Sequence, residues 1–166
     1  MIRLPKNTLD HPRLAALEAY LAQNEGPLRD GSATIVTRFA VTDAWKAAMQ
    51  AAARTGHVSQ GLESIQKTLD REQKGLKAVQ EKTKQAPTTR LSRLLIFAND
   101  GSERFYRDAE FILKHHGDRA WGCLVDIDSE ALGAVYTPKG KPTKALMIGD
   151  RDAVGQFLNA LATGLP

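Results

Sequence analysis

The apolar run Leu94–Ala98 constrains the fold of this chain of 166 residues more than any other feature. A strand with one solvated face alternates apolar and polar residues, whereas a continuous apolar run is typical of a strand covered on both faces. Such a strand requires helices above and below its sheet. The sequence around it supplies them, because short apolar runs alternate with segments of helical period as far as Leu161.

The same patterns place the other elements of the chain. The predicted strands are 33–39, 94–98, 123–127 and 145–148. The predicted helices are 11–24, 44–54, a long helix from about 62, and three helices ending near 116, 136 and 161. Asp43 is the predicted N-cap of the helix 44–54, and Asp100, Asp128 and Asp150 are the predicted N-caps of the last three helices. This order predicts an α/β fold, a three-layer α/β/α sandwich with a small mixed sheet. A helix–strand extension, residues 1–40, is expected to pack on the main domain, residues 41–166.

The long helix has an unusual composition. Its apolar stripe has nearly heptad spacing and consists of Leu62, Ile65, Leu69, Leu76 and Val79. Such a stripe favours pairing with another helix. The segment 73–92 is polar and basic and contains Pro87, so we expect a helical extension followed by a mobile loop inserted before the central strand.

Positive charge is concentrated in two segments. The chain has 23 Lys and Arg against 19 Asp and Glu, a formal net charge of +4. Residues 60–93 hold eight basic and four acidic residues, and residues 137–144 hold three lysines and no acid. A localised basic surface suits a polyanion, most commonly a nucleic acid. The alternative is a solvated helix face and a lysine-rich turn.

Composition also excludes several classes of protein. The single cysteine, Cys123, rules out an intramolecular disulfide and a multi-thiolate metal site, and it lies in a predicted buried strand. No apolar run is long enough to span a membrane, and no charged head with an apolar run opens the chain. We therefore expect a cytoplasmic protein without a membrane partner.

Catalytic constellations are absent or weak. There is no Gly-rich phosphate loop, no GxSxG elbow and no HExxH. Asp126, Asp128 and Glu130 at a strand end could hold a hard cation, but we favour Asp128 as a helix cap and Asp126 as solvated or paired. His115 and His116 close a helix, and neighbours on a helix point to different sides. The expectation is a protein that is not an enzyme and has no metal and no cofactor.

Five short stretches, taken in order, carry a likeness to a known family. They are Ala53–Gly61 (ARTGHVSQG, similar to ARKTGKVxxG), Lys67 six residues further on, Leu94–Asp100 (LLIFAND, similar to LVVIAxD), Asp128–Gly133 (DSEALG, similar to SKxELG) and Ala145–Ile148 (ALMI, similar to a VAI strand). Over about two thirds of its length, from about residue 43 to residue 161, the chain resembles the ribosomal "L-seven-Ae" superfamily of kink-turn RNA-binding proteins, with its L-thirty-e and Gadd relatives.

The resemblance implies an α/β/α sandwich of ribosome or ribonucleoprotein type that binds structured RNA without catalysis. Two elements of such proteins clasp a bent RNA. Carried over, the first is the entry to the long helix, Gly61, Leu62, Glu63, Ser64 and Lys67. The second is the loop 136–144 with Lys139, Lys141 and Lys144. Both coincide with the basic segments that were found from charge alone.

The chain departs from the family at its first element. Kink-turn binders usually carry Asn-Glu two and three residues after the glycine, where this chain has Glu63 and Ser64. The amide that would reach a guanine edge is therefore missing, although Glu63 could accept from a guanine amino group. The alternative function is a protein-interaction module on the same fold, similar to the C-terminal domain of peptide-release factors or to the Gadd branch, with the helix 62–79 as its docking surface.

Overall fold

The computed structural model describes residues 2–84, 90–137 and 139–166. The strands are β1 (Glu25–Pro27), β2 (Ile35–Phe39), β3 (Val58–Gln60), β4 (Arg93–Phe97), β5 (Ala120–Val125) and β6 (Ala145–Ile148). The helices are α1 (Leu14–Gln23), α2 (Asp43–Arg54), α3 (Leu62–Thr83), α4 (Glu103–His115), α5 (Ser129–Tyr136) and α6 (Arg151–Thr163), after a 3-10 turn at Lys6–Thr8.

All six strands form one mixed sheet in the order β1-β2-β5-β4-β6-β3. β2, β5 and β4 run parallel, while β1, β6 and β3 are antiparallel to their neighbours. In the register of the two central pairs, Ile96 lies opposite both Cys123 of β5 and Leu146 of β6. The predicted small mixed sheet is therefore confirmed, with β1 and β3 as strands that the apolar pattern did not predict.

The central strand β4 is buried on both faces, as its apolar run predicted. Leu94 and Ile96 pack into a cluster with residues of α1, α2, α5 and α6. Leu95 and Phe97 point the other way, into a cluster with residues of α3 and α4. None of the four is more than 1% exposed. Two helical layers thus cover one sheet, and the α/β/α sandwich is confirmed.

The first 40 residues share this sheet and this core. Thr37 of β2 lies opposite Cys123 of β5, so β2 extends the parallel part of the sheet. Leu17 and Leu21 of α1 are buried in the same cluster as Leu94. The helix and strand expected for the extension are present, and a domain boundary at residue 40 stays a prediction.

Two of the predicted helix caps are wrong. The Thr42 hydroxyl, and not Asp43, accepts the Trp45 amide hydrogen at 3.1 Å and caps α2. The Ser102 hydroxyl, and not Asp100, accepts from Phe105 at 3.1 Å and caps α4. The two hydroxyls lie one and two residues from the carboxylates expected to cap these helices, and they make the bonds because each directly precedes its first helical residue. Asp128 and Asp150 cap α5 and α6 as predicted.

The long helix α3 uses only the first half of its apolar stripe. Ile65 and Leu69 are fully buried, but Leu76 is 42% exposed and Val79 is 57% exposed. Between residues 73 and 84, all of which the structure describes, no residue is buried. Eleven helical residues, about 16 Å of helix, therefore extend past the core. The mobile loop predicted to follow falls mainly on residues 85–89, outside the described residues.

Glu72 marks the point where α3 leaves the core. Its carboxylate accepts two hydrogen bonds from Arg93, at 3.1 and 2.9 Å, and one from Arg119 at 3.0 Å. All three side chains are at least 74% buried, and such an arrangement holds α3 against the first residue of β4 and the turn before β5. None of the helices in the described residues is both long and apolar enough to cross a membrane.

The core strand β4 and the exposed half of the α3 stripe provide a matched pair of leucine substitutions. We expect Leu95→Ala to lower the free energy of unfolding by about 2–5 kcal/mol, because it leaves a cavity where no solvent reaches. Leu76→Ala should change it by no more than about 0.5 kcal/mol, since that side chain is exposed. Urea unfolding of both variants checks this, and equal losses would contradict the assignment of β4 as the centre of the core.

Candidate nucleic-acid interface

One edge of the sheet brings together the two elements that the resemblance singled out. β6 is antiparallel to β4, with Ala145 opposite Phe97, so β6 begins where β4 ends. β3 is antiparallel to β6, with Gln60 opposite Leu146, so β3 ends at the same edge. The Gly61 amide then donates to the Ala145 carbonyl at 3.0 Å. The start of α3 and the end of the loop 137–144 therefore lie side by side.

The N-terminus of α3 is open. Gly61 precedes the helix at φ +90°, a conformation that glycine adopts without strain. The first helical bond runs from the Ile65 amide to the Gly61 carbonyl at 3.0 Å, and within the described residues no side chain caps this end. The amides of Leu62, Glu63 and Ser64 precede that bond. They give this end of a long helix the partial positive charge that attracts anions.

An ion pair within α3 reduces the positive charge at this end. The Lys67 ammonium lies 3.2 Å from the Glu63 carboxylate, one helical turn away, and both side chains are more than three quarters exposed. An exposed pair of this kind contributes little to stability. The pair does weaken the attraction of Lys67 for a phosphate, because the Glu63 carboxylate partly neutralises its charge. It also places a carboxylate beside the open amides.

The loop between α5 and β6 presents three exposed lysines, Lys139, Lys141 and Lys144. Its backbone is anchored at the sheet edge: the Lys144 carbonyl accepts from the Ala98 amide at 2.9 Å. The Thr143 amide in turn donates to the Ser129 carbonyl at 2.9 Å. Pro138, which belongs to this loop, lies outside the described residues. The lysine side chains therefore extend from a fixed backbone.

Gly133 lets the loop lie against α5. A Cβ atom at this helical position would overlap the carbonyl oxygen of Lys141 and crowd Pro142. Only a residue without a side chain permits this approach of the two backbones. The "SEALG" end of α5 thus has a physical reason for its glycine, which is to place the lysine loop.

Three carboxylates at the same edge accept hydrogen bonds from backbone amides. Asp126 accepts from the Val41 amide at 2.9 Å, and Asp128 accepts from the Ala131 amide at 2.9 Å as the cap of α5. The interpretation of Asp128 as a cap and of Asp126 as paired is confirmed. Asp100 accepts from the Ser129 hydroxyl at 2.8 Å and from its amide at 3.0 Å. These bonds, with Lys144 nearby, lower the pKa of Asp100.

The structure adds a basic row that the sequence reasoning missed. Arg71 lines the same shallow surface groove as Gly61, Ser64 and Lys67. Lys67, Arg71, Lys74 and Lys82 follow one another at spacings of four, three and eight residues, so they share one face of α3. All four are exposed, and among the described residues the last three form no ion pair. Their helical spacing was visible in the sequence and could have revealed the row.

Cys123 and the two histidines lie elsewhere. Cys123 is completely buried in β5, which confirms its place in the core, and burial raises the pKa of its thiol. His116 is buried beside Asp70, and burial lowers the pKa of its imidazole although the hydrogen bond to Asp70 opposes that effect. Neither group belongs to the edge formed by Gly61 and the lysine loop.

Comparison with known proteins gives no family. No family model matches the chain, and no curated protein matches its sequence. The chain is similar to a solved protein of unknown function from Bacillus halodurans C, with 16% identity and a TM-score of 0.49 over 72% of this chain and 96% of that one. It is also similar to the 15.5 kD RNA binding protein of Giardia lamblia, with 15% identity and a TM-score of 0.47 over 73% and 83%. Neither likeness, with a TM-score below 0.5, decides the function of this chain.

The Asp100 bonds predict a pH dependence of stability. A carboxyl whose pKa is lowered in the folded state stabilises it fully above the unfolded pKa of about 3.9 and loses that effect as the pH falls through the folded value. We expect Asp100→Asn to cost no more than about 1 kcal/mol at pH 7, because the carboxylate is exposed. The difference between the thermal midpoints of the two proteins should begin to shrink below about pH 4 and disappear below the folded pKa of Asp100. A constant difference down to pH 3 would contradict a role for the charge.

Proposed function

We propose that this chain is a non-catalytic RNA-binding protein of ribonucleoprotein type. The RNA backbone is held between the open N-terminus of α3 and the loop 137–144. The surface consists of Gly61, Leu62, Glu63, Ser64, Lys67, Lys139, Lys141 and Lys144, with Arg71 added by the groove. The observation that carries the proposal is the Gly61–Ala145 hydrogen bond, because it joins the two basic segments of the sequence into one surface.

The chemistry of this surface favours phosphate over base recognition. Free helix amides and flexible lysines bind phosphate oxygens without regard to sequence. The exposed basic row on α3 continues the surface from Lys67 to Lys82, about 22 Å along the helix, which spans several phosphates of a strand. Discrimination between RNAs then comes from shape, as is usual for structured RNA.

Kink-turn recognition is proposed in a weakened form. The side chain at the position of the family's Asn is Glu63, and its carboxylate pairs with Lys67 at 3.2 Å. A guanine amino group that donates to this carboxylate competes with the lysine for it, so the energetic advantage of the kinked RNA is small. We expect a kink-turn RNA to bind a few times tighter than an unkinked duplex and a single strand, as fluorescence anisotropy at low and near-physiological salt would show.

The lysine loop provides the direct test. Lys139→Ala with Lys141→Ala should weaken binding of structured RNA by about tenfold near physiological salt and make the slope of log K against log[salt] shallower by up to about two, since each lysine contacts at most one phosphate. The matched control is Lys6→Ala with Lys114→Ala. It removes the same charge from exposed positions in the 3-10 turn and near the end of α4, away from the Gly61 edge.

The comparison of the two double variants decides the assignment. A loss confined to the Lys139 and Lys141 variant, with both proteins folded by circular dichroism, supports the surface. Equal losses in both would reduce the interaction to overall charge. Unchanged affinity in the loop variant would refute the role of the loop.

A second candidate function is a protein-interaction module. The observation that favours it is the exposure of Leu76 and Val79 on the part of α3 that extends beyond the core. Two large apolar side chains three residues apart on one helix face are suited to packing against a partner helix.

Salt and charge distinguish the two candidates. A complex made by apolar helix packing should be nearly insensitive to salt and should be lost in Leu76→Gln with Val79→Gln, whereas binding of RNA through lysines weakens steeply with salt. We expect this apolar double variant to keep its RNA affinity within about twofold, because neither residue lies at the Gly61 edge. A large loss of RNA affinity in this variant would mean that the extended half of α3 is the true interface.

A further inference from the structure

Three potential ligand atoms meet at the opposite edge of the sheet from Gly61. Asp70, on the buried half of α3, and His115 and His116, at the end of α4, each place one oxygen or nitrogen within 4.8 Å of the other two. His116 Nε2 lies 3.0 Å from Asp70 Oδ1. Among the described residues this is the one group of three or more His, Cys, Asp or Glu side chains that comes together in this way.

The end of α4 explains how two consecutive histidines reach the same point. His115 is the last residue of the helix, and His116 is the residue that caps it, at φ −118° and ψ 21°. The backbone therefore leaves the helical path between them, and the two rings approach edge to face with centroids 5.0 Å apart. The rule that neighbours on a helix point apart does not apply at a helix end.

The three side chains differ in how firmly they are held. His116 is 4% exposed and hydrogen-bonded to Asp70, so its position is set by the core. His115 is exposed and stacks on Phe111 at 5.9 Å with nearly parallel rings. The Asp70 side chain is 47% exposed. One ligand is thus fixed, while solvent reaches the other two.

We propose that Asp70, His115 and His116 form a binding site for a divalent cation of the Zn²⁺ class, with water as the remaining ligand. Imidazole and carboxylate are the ligands that Zn²⁺ prefers besides thiolate. At metal–ligand distances of about 2.0–2.1 Å, tetrahedral ligand atoms lie about 3.3 Å apart. The pair formed by His116 and Asp70 already has a separation of 3.0 Å.

His115 completes the set with a small movement. Its ring nitrogen lies no more than 4.8 Å from the other two ligand atoms, so a closure of up to about 1.5 Å reaches tetrahedral spacing. Rotation of an exposed ring accomplishes this movement within its rotamer well. The nearby guanidinium of Arg119 opposes a cation, but its charge is paired with Glu72 at 3.0 Å. Asp70 supplies the remaining negative charge.

A bound cation would join α3 to the end of α4. The proposal does not depend on RNA binding, because the site lies at the amino end of the parallel strands and its test contains no nucleic acid. Binding to the folded state alone also raises the thermal midpoint with cation concentration.

The test is calorimetric titration of tag-free protein with ZnCl₂, together with Co²⁺ absorption as a report on geometry. We expect one Zn²⁺ per chain, with the affinity reduced at least about tenfold in His115→Ala and in Asp70→Asn. Both substituted positions are solvent-accessible, and asparagine keeps an oxygen near His116, so both variants should fold. The matched control is His57→Ala, an exposed histidine outside the cluster, which should bind as the parent does.

Each result decides the proposal. One equivalent bound, weakened in both variants and unchanged in the control, with Co²⁺ bands of tetrahedral or five-coordinate intensity, supports the site. Absence of saturable binding below about 100 μM Zn²⁺ overturns it. A Zn²⁺ affinity within twofold of the parent in either His115→Ala or Asp70→Asn also overturns it. Loss of Zn²⁺ binding in His57→Ala does the same.

Discussion

The burial of β4 on both faces is the constraint on which the rest of the structure depends. Its backbone is hydrogen-bonded to β5 on one side and to β6 on the other, and its side chains alternate between two separate apolar clusters. Since no face of this strand can meet water, both helical layers are required before the sheet is stable. The three-layer architecture follows from five consecutive residues.

The mixed direction of the strands then decides where the surface features of the chain meet. Had β6 run parallel to β4, the lysine loop before it would lie at the amino end of the sheet, away from Gly61. Because β6 and β3 each reverse direction, the end of β3, the start of α3 and the lysine loop share the carboxyl edge. Two basic segments that are more than 40 residues apart in sequence become one surface.

The helix α3 connects the two edges and is longer than the sheet it crosses. Its first half buries Ile65 and Leu69. In its middle part, Asp70 and Glu72 bond to side chains from the end of α4, from β4 and from the α4–β5 turn. No residue of its second half is buried. The pairing of the charged side chains also changes along α3. The buried charges of its middle part are paired, as burial requires, whereas Arg71, Lys74 and Lys82 on the exposed face are available to an external anion.

Much of this could be predicted from sequence because it depends on local chemistry. The run 94–98 identifies a doubly covered strand, and Asp128 and Asp150 cap the helices that follow them, since capping needs only neighbouring residues. The predicted caps of α2 and α4 were wrong because a hydroxyl, that of Thr42 or of Ser102, lay closer to the first helical turn. The apolar stripe of α3 was misleading because it continues past the core, to Leu76 and Val79. A heptad-like stripe records which residues share a helix face but not where the sheet beneath that face ends.

The sequence by itself determined the α/β class, the elements of the central sheet and the two segments in which positive charge is concentrated. Only the tertiary structure decided that these segments adjoin, that Lys67 is paired with Glu63, and that Asp70 from one helix meets two histidines at the end of another. The reason is that periodicity and charge are properties of neighbours along the chain, whereas contacts across the sheet depend on strand direction and register. Those are set by the packing of the whole domain, which no short stretch of residues contains.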